Sequence, residues 1–178
     1  MGDAATDNER IAQLEARVAQ LEAAEEIRAV IARYFEICDR LDASAPMEEL
    51  GQLFSDGAVW QGKGAKYQKD FGGHRGRDEI VAFLDRHRSP SPHFAHNVHF
   101  LTTETLTVDG ETAKGTWVML QTPTFHTGEA FALSARIAAS FTKENGAWRI
   151  SNFGTTNLFS RRIEGRWDQG DAIPKPQN

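Results

Sequence analysis

Asp39 and Tyr34 sit five residues apart in a stretch whose apolar residues recur at helical spacing, and His93, His96 and His99 follow as H-x-x-H-x-x-H. Carboxylate, phenol and imidazole are the groups that move protons at ordinary pH. At ~100° per residue, Tyr34 and Asp39 lie about 140° apart around a helix, so they cannot both be central on one stripe. Asp39 precedes Arg40 at the end of the apolar face. Its carboxylate either forms a helix-end ion pair with Arg40 or Arg33, worth roughly 0–1 kcal/mol, or turns inward to orient a histidine or take a proton itself.

The three histidines invite a metal reading, because on a helix their spacing would gather the rings on one face. Pro92 precedes them, however, and Asn97-Val98-His99-Phe100-Leu101-Thr102 favours a strand. Side chains alternate along a strand, so His93 and His99 share one face and His96 takes the other. That geometry is poor for a three-histidine metal site, and no metal is expected. His93 stands at the strand's entrance after a proline-ordered loop, where a cavity wall would begin, and is the candidate general base.

Trp60 beside a glycine-rich stretch, Trp117 in mid-strand, and Phe125 and His126 in a connection suit the wall and mouth of an apolar pocket. Arg136 lies between Ala135 and Ile137 in an apolar strand. A guanidinium there either balances Asp39 or holds an anion, or else lies on the strand's exposed face. Cys38 falls on the apolar face of its helix, which suits a buried, inert thiol better than a nucleophile. No dinucleotide, P-loop, zinc-protease or serine-hydrolase motif occurs, and no cofactor is expected.

The elements that must position these residues read as helices first and strands after. From Asn8 to about Leu41 the pattern is helical, in two phases. Ile11, Leu14, Val18 and Leu21 form a two-heptad stripe, and Ile27, Val30, Ile31, Tyr34, Phe35, Cys38 and Leu41 form a broader face. Residues 1–24 therefore read as a helical extension that either pairs with a partner or lies on the domain, with the core helix following. A short helix begins near Pro46, a brief strand spans Ala58–Trp60, and a third helix runs from Arg77 to His87, stopped by Ser89-Pro90-Ser91-Pro92. Gln61–Gly76, with five glycines and four Lys or Arg, reads as a surface loop or flap. Four strand-rich runs fill residues 93–159, with hairpin turns at Asp109-Gly110 and Asn145-Gly146. This is an α+β plan. Residues 161–178 read as a polar tail.

The 178 residues suit one domain, and the net charge of −5 without a basic block argues against nucleic acid. One cysteine rules out an internal disulfide framework. No apolar run approaches the ~20 residues of a membrane span, so a cytoplasmic protein with no membrane association is expected.

Several segments together resemble the SnoaL-like branch of the NTF2-like superfamily. They are R-Y-F-E-I-C-D-R-L-D (33–42), L-F-S-D-G-A-V-W (53–60), G-R-D-E-I-V-A-F-L (76–84), S-P-H-F-A-H-N-V (91–98), D-G-E-T-A-K-G-T-W (109–117) and G-A-W-R-I (146–150). The resemblance spans about residues 25–160. It implies a cone of three helices on a strongly curved, mostly antiparallel sheet of about six strands, assembled as a homodimer or higher oligomer through the sheet. It implies a cofactor-independent lyase, of dehydratase or carbon–carbon lyase type, in which the dyad falls on Asp39 and on His93 of H-x-x-x-N, with Asn97 as the asparagine. Tyr34 takes the place of a tyrosine that positions a leaving oxygen. An arginine of some relatives has no match in Phe153–Asn157, which leaves Arg136 as its substitute. Trp60, His96, Asn97, Trp117 and Phe125 are then expected to contact a small hydrophobic, aromatic or polycyclic substrate. An isomerase or cyclase with the same pocket, a ligand-binding protein, and a structural subunit like those of ring-hydroxylating dioxygenases are the alternatives.

Overall fold

The computed structural model describes residues 3–88 and 92–170. Residues 89–91 of the expected proline stop (89–92) and the end of the expected tail, 171–178, lie outside them. Four helices occur among the described residues: α1 (Asp3–Asp39), α2 (Met47–Gln52), α3 (Gly64–Phe71) and α4 (Arg77–Asp85). Eight strands accompany them: β1 (Phe54–Lys63), β2 (Gly73–Arg75), β3 (Phe94–His96), β4 (His99–Asp109), β5 (Thr112–Gln121), β6 (Thr124–Phe125), β7 (Ala130–Glu144) and β8 (Ala147–Ile163).

The main sheet runs β2-β1-β8-β7-β5-β4, and off this path the short β6 pairs with the start of β7 and β3 pairs with β6. Among the described residues only β1 and β8 pair in parallel. The sheet is therefore mixed and mostly antiparallel, and its six-strand path matches the expected architecture. Register shifts interrupt β4 between Thr102 and Thr105 and β7–β8 beside Ser134 and Ser140. Such bulges bend long strands and increase their twist, so the sheet closes around the helices.

Strand alternation then sorts the side chains. In β5 the inward series is Ala113, Gly115, Trp117, Met119 and Gln121; in β7 it includes Ala135, Ile137, Ala139 and Phe141. Ile27, Leu50, Phe54, Ile80, Phe141, Ile150 and Phe153 are fully buried between sheet and helices. Each contributes roughly 1.5–3 kcal/mol on burial.

Several elements depart from the sequence reading, beginning with the brief strand expected at 58–60, which is the ten-residue β1 (Phe54–Lys63). The expected loop at 61–76 holds the end of β1, the helix α3 and β2. Gly64 and Gly72, at the two ends of α3, have φ of +73° and +66°, which only glycine adopts without strain. A Cβ on Gly62 would overlap the Tyr67 carbonyl, so the bare glycine is what lets α3 fold back onto β1. The chain after Arg161 continues as β8 to Ile163, and beyond it the Trp167 indole donates to the Phe131 carbonyl at 2.8 Å. The first hairpin turn is centred one residue later than expected, on Gly110-Glu111, whereas Asn145-Gly146 turns with both φ values positive. No described helix is long and apolar enough to cross a membrane.

Candidate active site

The hollow between helices and sheet is a cavity of about 780 Å³, within the usual range for a small-molecule pocket. Its inner wall is aromatic. Trp60 of β1 stacks on Phe153 of β8 with centroids 5.7 Å apart and planes at 13°, and Phe83 of α4 closes on Trp60 at 4.7 Å. From above, α3 contributes Tyr67 and Phe71, and the Lys66 ammonium ties it to the Ser160 hydroxyl at 2.6 Å.

Tyr34 enters this wall from α1. It is buried, and its hydroxyl accepts the Trp60 indole N–H at 2.9 Å. Burial pushes the phenol well above its ordinary value, so it stays protonated and able to donate. One turn on, Cys38 is buried and its thiol is pushed up to about 12, first by burial. The thiol therefore stays protonated, as expected of an inert core cysteine.

Asp39 closes α1 and turns toward the first residue of β4. Its Oδ1 lies 2.6 Å from His99 Nδ1 and accepts the His99 backbone N–H at 3.0 Å. A carboxylate partner makes Nδ1 the protonated nitrogen. The His99 ring lines the cavity and packs at 5.0 Å from Phe35, so Nε2 is the nitrogen left for a ligand. The carboxylate stands behind the ring and does not itself line the cavity.

The aspartate's partner is thus His99, where His93 was expected. The reason is local. Asn97 is buried and donates its amide to the Cys38 carbonyl at 3.3 Å, while its own oxygen accepts from Gln121 Nε2 at 2.8 Å. This clamp holds the start of β4 against the end of α1 and delivers His99, two residues on, to Asp39. His93 instead stands at the rim, exposed to solvent, with Phe125 at 4.9 Å and His87 at 5.7 Å. Partial desolvation of its ring against the rim, and then the neighbouring His126, hold it below the ordinary histidine value.

His93 and His99 line the cavity and His96 does not, which is the alternation expected, although Asn97 and Val98 break the run into two strands. Trp60, Asn97, Phe125 and His126 line the cavity as well. Trp117 is inward and buried but packs away from the cavity, against Phe141, with its indole donating to Glu104 at 3.1 Å. Arg136 points outward into solvent, because its strand neighbours Ala135 and Ile137 occupy the interior; it neither balances Asp39 nor reaches the pocket. Among the described residues, no group of three or more His, Cys, Asp or Glu side chains is arranged to hold a metal ion.

Gln121 escaped the sequence reading. Its signal was parity: it continues the inward series of Trp117 and Met119, and a polar residue there must find a partner.

Solved structures share this architecture. An NTF2-like protein with a cystatin-like fold from Novosphingobium aromaticivorans superposes with a TM-score of 0.67 at 27% identity, covering 83% of this chain and 89% of that one. The hexachlorocyclohexane dehydrochlorinase LinA-type3 from Novosphingobium barchaimii LL02 gives a TM-score of 0.67 at 15% identity, covering 87% and 97%. An NTF2-like protein of unknown function from Pseudomonas putida KT2440 gives 0.60 at 14%, covering 76% and 87%. No curated protein matches the chain. The SnoaL-like domain model matches residues 19–154, which take in Tyr34, Asp39, His99 and most of the cavity wall. By that match and this fold, the chain belongs to the SnoaL-like family of NTF2-like proteins.

Proposed function

We propose that the protein is a cofactor-independent lyase that removes a proton and a leaving group from a small hydrophobic substrate, with His99 as general base. The observation that carries this reading is the Asp39–His99 contact, which commits Nδ1 to the carboxylate while the ring faces an aromatic cavity. His99 Nε2 takes the proton from carbon, and the electron pair closes a double bond as the leaving oxygen departs. The Tyr34 hydroxyl donates a hydrogen bond to that oxygen, and the proton held by His99 leaves with it as water. Asp39 keeps the tautomer and stabilises the imidazolium. General acid–base help of this kind contributes about 10²–10⁴-fold.

Stacked Trp60 and Phe153 suit a flat, apolar substrate body. Asn97 and Gln121 place polar groups on the same wall.

The test is a panel of aromatic and polycyclic β-hydroxy ketones, followed by product absorbance and by deuterium exchange. His99→Gln should lower turnover by about 10²-fold or more with the thermal midpoint unchanged, whereas His93→Ala should retain most of it. Full turnover by His99→Gln would overturn the assignment. Solvent deuterium entering the substrate without loss of water would identify an isomerase using the same base.

A further inference from the structure

The first half of α1 projects from the domain as a helical arm, exposed on every side from Thr6 to Glu22. It nevertheless carries Ile11, Leu14, Val18 and Leu21, which are 53%, 55%, 51% and 63% exposed. At ~100° per residue this stripe points roughly 150° away from the face of the same helix that carries Ile27, Ile31, Tyr34 and Cys38 into the core. Because α1 is one unbroken helix, the chain's own domain lies on the opposite side and cannot cover the stripe.

The pattern of the arm says what does. Written as heptads, Ile11 and Val18 take a, and Leu14 and Leu21 take d. β-Branched residues at a with leucine at d favour two parallel strands. Between residues 10 and 22 the charged residues are Arg10, Glu15, Arg17 and Glu22; Arg10 and Arg17 fall at g, and Glu15 and Glu22 at e. Every charge in the segment therefore flanks the seam. In a parallel pair, g of one strand meets the next e of the other, giving Arg10 to Glu15 and Arg17 to Glu22 on both sides. In an antiparallel pair g meets g and e meets e, setting arginine against arginine and glutamate against glutamate.

We propose that the arm forms a parallel, two-stranded coiled coil with the arm of a second copy of this chain. Two heptads make a marginal coiled coil when isolated. Here each strand grows from a helix already fixed by the core, so the costly helix nucleus exists before pairing. The seam ends where the next a and d positions become Glu25 and Arg28. Arg28 is turned to its own domain, bonded to Glu104 at 2.8 Å, and the two helices part there.

The test uses the full chain with Asp7→Cys, one heptad before Leu14 at d. In a parallel pair the two introduced thiols face each other at disulfide distance. In an antiparallel pair they stand roughly 27 Å apart. Cys38 is buried and stays silent. Mild oxidation at micromolar concentration should yield covalent dimers, and light scattering of the unmodified chain should show an even number of copies. Adding Arg10→Glu with Arg17→Glu should slow cross-linking at least about tenfold. Mixing that variant with one carrying Asp7→Cys, Glu15→Arg and Glu22→Arg should restore it as a mixed pair. Thermal unfolding of each variant checks that the domain is intact. Thiols that do not join, cross-linking indifferent to charge reversal, or one or three copies per particle would overturn the proposal.

Discussion

The Trp60 indole hands its N–H to the Tyr34 hydroxyl at 2.9 Å, joining the first helix to the first strand inside a wall of aromatic rings. Trp60 is 5% exposed, so loss of the hydroxyl leaves a buried N–H without its protein partner. Tyr34→Phe should cost about 1–3 kcal/mol, the penalty of an orphaned buried donor, and lower the thermal midpoint by several degrees. Adding Trp60→Phe should cost less than the sum of the two single changes, because the pair fails together. A double-mutant cycle by urea unfolding measures this.

The contact of Asp39 with His99 predicts a tautomer before any substrate is known. Nitrogen-15 NMR of the neutral protein should show His99 protonated at Nδ1 and bare at Nε2. Asp39→Ala should return the ring to the mixture seen in free imidazole. If His99 remains a pure Nδ1–H tautomer in Asp39→Ala, the carboxylate is not what sets it.

Cys38 gives a prediction with the opposite character. With its thiol buried and pushed up to about 12, almost no thiolate forms at pH 8. A colorimetric disulfide reagent should react at the rate of unfolding, and saturating urea should release the whole signal at once.

Acid should weaken the fold through the histidines at the cavity rim. Burial, with the charge of His93 next, holds His87 below its ordinary value, and its Nδ1 has no hydrogen-bond partner. A histidine depressed in the folded state favours folding while it is neutral. Stability is full above about pH 6.5, the unfolded value, and falls as pH drops below it, since the unfolded chain binds the proton first. Urea midpoints at pH 7.5 and pH 5 should differ, and His87→Leu should narrow the difference.

Gly62→Ala addresses the helix over the cavity. The added methyl would overlap the Tyr67 carbonyl and push α3 off β1, at a cost of about 1–3 kcal/mol. Trypsin should then cut faster at Lys66 and Lys69, both of which lie on α3.

Periodicity made most of this architecture legible in advance. The inward face of α1 follows from spacing alone, and so does the sharing of one face by His93 and His99. Three features lay beyond it. Asp39 could have met either histidine, because strand parity fixes the face but not which position lies opposite a helix end; the Asn97 clamp decides that. Arg136 was open to a pocket or an exposed placement, because spacing shows the alternation of a strand but not which of its two faces meets the core; the burial of Ala135 and Ile137 decides it. The helix α3 hides among glycines whose local signal is that of a loop, and only packing against β1 reveals them as its hinges.

The parallel pairing of β1 with β8 bears on how the chain acquires its pocket. Trp60 and Phe153, which face each other across that seam, are separated by most of the domain. Contacts so distant along a chain form late, after shorter loops have closed. A chain that stops before β8 lacks Phe153 and with it the ring that stacks on Trp60. The inner wall is thus complete only once β8 has paired with β1.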